Sequence, residues 1–181
     1  LRPVDVNGIN KMAGEWYHIV YAQAHGLRTC ALRLTNTYGP RMRVKDARQT
    51  FLGVWLRCVV QGQPFEVWEG AQRRDLNYVE DVVDALMMAI ANDEARGRVF
   101  NLGGEQAVTL RELAQMLTEL GGGGSFISCP FPTERKRIDI GDYYADFSLI
   151  SSALGWRPRV PLRDGLALTL EFYRENLSHY L

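Results

Sequence analysis

The sequence predicts an α/β protein built on parallel strands, and three observations lead there. A run of β-branched and aliphatic residues, Thr29 to Thr35, breaks off into Asn36-Thr37-Tyr38 and turns at Gly39-Pro40. That is the pattern of a buried parallel strand with a punctuated end. A helical pattern leads into this strand through Gly26-Leu27, which is half of a βαβ crossover. Beyond it, helical and strand-like stretches keep alternating to the C-terminus. In open α/β sheets ligands sit at the carboxyl ends of such strands, which marks Asn36 to Pro40 for scrutiny.

The first helix is predicted over Asn7 to His25, with Ile9, Met12, Ala13, Trp16, Ile19 and Val20 at helical spacing on one packed face. Lys11 stands one turn from Asn7 and one turn from Glu15, so Lys11 and Glu15 are expected to pair. A polar basic segment, Arg41 to Arg48, precedes a helix from about Gln49 to Val60, and Phe65 to Trp68 reads as a short strand. Arg74 to Val79 leads into a helix over about Glu80 to Asn92, with Val82, Val83, Leu86, Met87 and Ile90 expected on its core side. Glu80 and Asp81 fall in its first turn, where the helix dipole favours carboxylates.

Arg98 to Leu102 reads as another buried strand ending in Gly103-Gly104. Thr109 with Glu112 three residues on forms a predicted capping box for a helix to about Leu120. Gly121 to Gly124 reads as a turn before a strand at Phe126 to Cys129. The charged loop Pro130 to Asp142 gives way to a short strand and helix over Tyr143 to Leu154. A last helix from about Leu162 carries Leu166, Leu170, Tyr173 and Leu177 on one stripe.

Composition narrows the class. The 181 residues are 46% hydrophobic and 23% charged, with 21 basic residues against 21 acidic ones. Nucleic-acid and membrane-surface partners usually need a basic excess, so neither is expected. Cys30, Cys58 and Cys129 are far apart and make no Cys-x-x-Cys or Cys/His cluster. Neither a metal site nor a disulfide framework is expected, and a reduced, cytoplasmic protein is. The chain opens on Leu1, and its first strong elements lack neighbours upstream. It is therefore expected to belong to a longer polypeptide or to bury the open strand edge by self-association.

Five stretches in order resemble the nucleotide-sugar epimerases and dehydratases of the extended short-chain dehydrogenase/reductase family. Asn7-Gly8-Ile9-Asn10-Lys11 is similar to that family's Tyr-x-x-x-Lys helix start. Leu32 to Pro40 resembles its strand ending in Asn-x-Tyr-Gly-Pro. Arg74-Asp75-Leu76-Asn77-Tyr78-Val79-Glu80-Asp81-Val82 resembles its Arg-Asp-x-x-Tyr-Val-x-Asp-Val signature, and Phe100 to Gly103 and Leu154 to Pro158 also match. The resemblance implies the C-terminal part of a Rossmann-type parallel sheet plus a small α/β substrate-binding domain. Residues 1–40 and about 74–104 would lie on the Rossmann side, and about 41–73 and 105–181 mainly in the substrate domain.

The resemblance also implies chemistry. In that family NAD or NADP takes a hydride from the sugar to give a keto intermediate, a tyrosine hydroxyl serves as base, and a lysine one turn on lowers its pKa and holds the nicotinamide ribose. Here Lys11 fills the lysine position, but Asn7 stands where the tyrosine would be. An amide has no proton to exchange near neutral pH, so the usual route cannot run through residue 7. Tyr17, Tyr21 and Tyr38 are alternatives by residue type, with packing the expected role of Tyr17 and Tyr21. The Gly-rich turn for the cofactor pyrophosphate is absent from the sequence, so NAD or NADP binding would need the missing N-terminal segment.

By the same resemblance Tyr38 lines the nicotinamide end, core packing being the alternative, while Asn36 and Arg74 meet the substrate diphosphate. The plainer alternatives are a turn-satisfying asparagine and a surface partner for Asp75 or Glu80. Lys136 and Asp139 fall where the family binds phosphate and nucleoside ribose, with Arg135 or Arg137 as substitutes for Lys136 and a solvated loop as the alternative. The expected activity is 4-epimerisation of a UDP- or dTDP-hexose. 4,6-Dehydration, or a binding protein impaired by Asn7, are the alternatives. A homodimer is expected, because the helix bearing Lys11 pairs subunits in many relatives.

Overall fold

The computed structural model describes residues 3–47, 50–136 and 139–181, the side chain of Arg135 excepted. Helix α1 (Val6–His25) starts where the Asp5 carboxylate accepts the Gly8 N–H at 2.7 Å, and it stops at Gly26 with φ 66°. It leads into β1 (Ala31–Arg33) and β2 (Asn36–Tyr38), followed by α2 (Phe51–Val60), whose first turn is capped by the Thr50 hydroxyl. Three short strands come next: β3 (Phe65–Trp68), β4 (Arg73–Arg74) and β5 (Leu76–Tyr78). Then follow α3 (Val79–Ala91), β6 (Val99–Asn101), β7 (Val108–Thr109) and α4 (Leu110–Gly121), which starts with the Thr109–Glu112 capping box. The chain closes with β8 (Phe126–Cys129), α5 (Thr133–Lys136), α6 (Ser148–Leu154) and α7 (Leu162–Asn176).

The strands pair as β1 with β6, β2 with β5 and β3 with β8, all parallel, and β4 with β7 antiparallel. The α/β class with parallel pairing is therefore as the sequence predicts. One boundary differs. Asn36 to Tyr38 was expected to leave the strand as a turn, but it continues as β2, because Asn36, Thr37 and Tyr38 find partners in Leu76, Asn77 and Tyr78.

Two apolar clusters hold the elements together. One gathers Tyr38, Leu52, Leu56, Val67, Tyr78, Leu113, Leu117, Leu166 and Leu170 between α2, α4 and α7. The other gathers Val82, Ala85, Phe100, Leu102, Ile150, Leu154 and Trp156, with Cys30 and Leu32 against it. Trp156 is 2% exposed, and its indole N–H donates to the Asp81 carbonyl at 2.9 Å. The Asp81 carboxylate meanwhile accepts the N–H groups of Arg159 and Val160 at 3.1 and 3.2 Å. That residue clasps α3 to the segment after α6.

The apolar stripe on α1 departs from the expected packed face. No residue of α1 is buried, and Ile9, Trp16 and Val20 are each about half exposed. On α3, Val82, Ala85 and Ala89 face inward, whereas Val83, Leu86, Met87 and Ile90 lie exposed. Periodicity identifies an apolar face, but burial also needs a partner. Among the described residues none covers these two, and β1 is paired on one edge alone.

Candidate functional site

The relation of α1 to β1 sets the geometry. The Thr29 hydroxyl, just before β1, donates to the His18 carbonyl at 2.8 Å, and Arg33, at the end of β1, bonds Glu15 through Nε and Nη2, both at 2.7 Å. Helix and strand thus run antiparallel, and the N-terminal turns of α1 extend past the carboxyl end of β1. Asn7 and Lys11 belong to those turns, and both are exposed. Glu15 is committed to Arg33 and not to Lys11 as expected, since a two-pronged guanidinium–carboxylate bond is stronger than a single contact with an ammonium. That hydrogen bond holds the Glu15 carboxyl below its usual range.

Asn36 opens β2 opposite Leu76, and Arg74 lies two residues before Leu76 on the adjoining β4. The Arg74 side is not the surface ion pair considered as an alternative. The residue is 7% exposed, and its Nη1 donates to the Arg73 carbonyl at 2.8 Å and to the Gly141 carbonyl. Burial draws the guanidinium pKa down, and the nearby carboxylates of Asp139 and Asp142 oppose that shift. Asp139 is half-buried.

The segment carrying Asp139 is stitched to β4. The Asp142 carboxylate accepts the Arg73 N–H at 2.8 Å, Tyr143 N–H donates to the Arg73 carbonyl at 3.0 Å, and Ala145 N–H donates to Asp75 at 3.0 Å. Lys136, at the end of α5, lies on the surface with its Nζ 3.7 Å from a Glu69 carboxylate oxygen. Arg137 lies outside the described residues, as does the side chain of Arg135, so these two substitutes for Lys136 have no place here. The structure therefore sets Asp139 near Arg74, and Arg74 two residues before Leu76, the partner of Asn36. Lys11 is carried past the carboxyl end of β1 by α1, and Lys136 pairs with Glu69 on the surface.

Tyr38 requires a correction. It is 1% exposed, its hydroxyl hydrogen-bonds the Leu162 carbonyl at 3.3 Å, and its ring meets Tyr78 edge-on at 5.6 Å. Gly165 is the only residue small enough for the facing position, since a Cβ there would lie 2.9 Å from the Tyr78 ring and inside contact distance of the Tyr38 hydroxyl. Burial raises the Tyr38 phenol pKa far above its ordinary value. The packing alternative is the one realised, and no ring face is left for a nicotinamide. Tyr17 and Tyr21 also differ from expectation, being 68% and 49% exposed on the uncovered side of α1. They lie toward the His18 end of the helix, away from the carboxyl end of β1.

Sequence reasoning missed Asp75. It is 1% exposed, and Oδ2 accepts the N–H groups of Gly104 at 3.2 Å and Ala145 at 3.0 Å. The available signal was the Arg74-Asp75 pair itself, because a carboxylate set between two short buried strands must have its charge satisfied by hydrogen bonds.

Fold and site together define a Rossmann-type α/β protein with parallel strand pairs, in which a buried arginine lies near an aspartate. The sequence pattern of the NAD dependent epimerase/dehydratase family matches residues 1–103, and the chain belongs to that family. It is 33% identical to a dTDP-glucose 4,6-dehydratase of Actinoplanes over 98% of its length and 54% of that relative's. It is 32% identical to UDP-glucuronic acid decarboxylase 1 of Xenopus tropicalis, covering 93% of this chain and 39% of that one. Among solved structures, the UDP-glucose 4-epimerase of Thermotoga maritima with UDP-glucose superposes with a TM-score of 0.82 at 29% identity, over 94% of this chain and 53% of that one. The chain thus spans about half the length of the relatives it matches.

Proposed function

We propose that this chain is the nucleotide-sugar-binding part of an NAD- or NADP-dependent enzyme that 4-epimerises a UDP- or dTDP-hexose through a keto intermediate. The observation that carries this is the buried Arg74, braced by two carbonyls and facing Asp139, one strand from Asn36. A guanidinium fixed in that way presents its remaining N–H groups as a fork suited to a diphosphate. Asn36 adds an amide donor, Asp139 an acceptor for a ribose hydroxyl, and Lys136 a second positive charge once it leaves Glu69.

Lys11 fits the cofactor's ribose: its ammonium is exposed and lies in the turns of α1 that pass the end of β1. When bound, the cofactor supplies a hydride acceptor and donor. The remaining cofactor contacts fall to residues outside this sequence, which contains no Gly-x-x-Gly-x-x-Gly turn. Relatives named as 4,6-dehydratases support dehydration as an alternative outcome of the same oxidation.

A second reading has its own observation. Asn7 cannot hold or release a proton, and Tyr38 is sealed in the core. A nucleotide-sugar-binding protein with impaired turnover follows if no other base reaches the sugar. Calorimetric titration with UDP and dTDP tests the site itself. Binding that Arg74→Ala weakens at least about tenfold is expected. Equal binding by both forms would remove Arg74, and the proposal with it.

A further inference from the structure

We infer that Asp75 is a positioning residue: it holds the strap of residues 139–146 against β4, and so sets Asp139 and the Gly141 carbonyl beside the Arg74 guanidinium. This deepens the diphosphate-site reading above and rests on it.

Asp75 directly follows Arg74 in the break between β4 and β5, and the two side chains have different partners. Arg74 faces the proposed substrate side. Asp75 faces inward, where its Oδ2 joins two segments distant in sequence, the Gly103-Gly104 turn and the strap at Ala145. The fit is close, since a Cβ at Gly103 would lie 2.7 Å from Asp75 Oδ2 and 2.8 Å from the Ala145 carbonyl oxygen. The Thr35 hydroxyl faces the same carboxyl and accepts the Asn77 side-chain N–H at 2.6 Å. One buried carboxylate thus reaches the residue before Asn36, the Gly103-Gly104 turn and the strap bearing Asp139.

The strap has few other ties. Asp142 and Tyr143 bond the Arg73 backbone, Gly141 bonds the guanidinium itself, and the Asn101 amide donates to the Asp146 carbonyl at 3.5 Å. Behind it lies a cavity of about 620 Å³ lined by Asp75, Tyr144, Ala145 and Ser148, among others. The strap therefore has room to swing once the Ala145 tie is cut. Loss of that tie would free the Gly141 carbonyl and misplace the fork before any ligand arrives.

Amide hydrogen exchange and UDP titration of the parent, Asp75→Ala and Asp75→Asn proteins test this. In folded Asp75→Ala, exchange over residues 141–146 should quicken while that of helix α4 stays unchanged, and UDP affinity should fall about tenfold. Asp75→Asn keeps an acceptor oxygen and should show the same changes at smaller size. Unchanged strap exchange in folded Asp75→Ala, or an equal rise throughout α4, overturns the inference. If Asp75→Ala does not fold, Asp75→Asn decides by the same two regions. A parent that binds neither UDP nor dTDP would defeat the substrate reading, whereas strap exchange would still judge Asp75.

Discussion

Glu15 and Arg33 meet through two parallel hydrogen bonds of 2.7 Å, which pin the middle of α1 to the end of β1. The Glu15 side chain is 10% exposed and that of Arg33 37%, so solvent screens the pair only in part. Glu15→Ala should cost about 1 kcal/mol. The Glu15 carboxyl lies below its usual pKa in the fold, so its contribution is complete above the ordinary glutamate range and fades as acid titrates the folded form. Urea unfolding of both proteins near neutrality and near pH ~3 checks this, with the gap between them expected to shrink in acid.

Restoring a phenol at residue 7 tests whether Asn7 is the block to turnover. In a protein joining this chain to a cofactor-binding half, Asn7→Tyr should raise nicotinamide reduction by a UDP- or dTDP-hexose about a hundredfold or more, since a positioned base contributes on that scale. Equal rates with Asn7 and Tyr at this position would mean that the base lies elsewhere.

Gly165 lets α7 close over the Tyr38–Tyr78 pair. Gly165→Ala adds a methyl group where Tyr78 Cδ2 would be 2.9 Å away, and overpacking of that kind costs about 1–3 kcal/mol. A lower denaturant midpoint with an unchanged slope is the expected result.

The uncovered faces of α1 and α3 make a prediction about association. Trp16, Met87 and Ile90 are 56%, 61% and 73% exposed, and β1 has an open edge among the described residues. The isolated chain should self-associate with rising concentration, and Trp16→Lys with Met87→Lys should move it toward monomer. Sedimentation velocity over a concentration series decides, and a monomer at all concentrations would contradict the expectation.

Local signals were legible in the sequence where their physics is local. The Thr109–Glu112 capping box and the left-handed stop at Gly26 both depend on residues a few positions apart. The α/β class followed from the same kind of signal. What could not be read depends on distant partners. The stripes of α1 and α3 announce apolar faces without saying what covers them, and β2 exists because Leu76 to Tyr78 pair with it from some forty residues away. Arg74 was found by motif, but its bracing by Gly141 and the inward role of Asp75 arise from a strap nearly seventy residues downstream. Tyr38 followed its burial and not its place in a motif.

The two apolar clusters have a consequence for how such a chain could be divided. Cys30 and Leu32 touch one, Tyr38 to Tyr78 build the other, Val82 to Leu102 return to the first, Val108 to Leu117 leave it again, Ile150 to Trp156 come back and Leu162 to Leu170 depart. No single cut separates them, so neither lobe could be lifted out by recombination or proteolysis as an intact cassette. Removing the residues after Phe147 would strip Phe100 and Leu102 of their cover and take α7 from the other lobe, so both should melt as one unit.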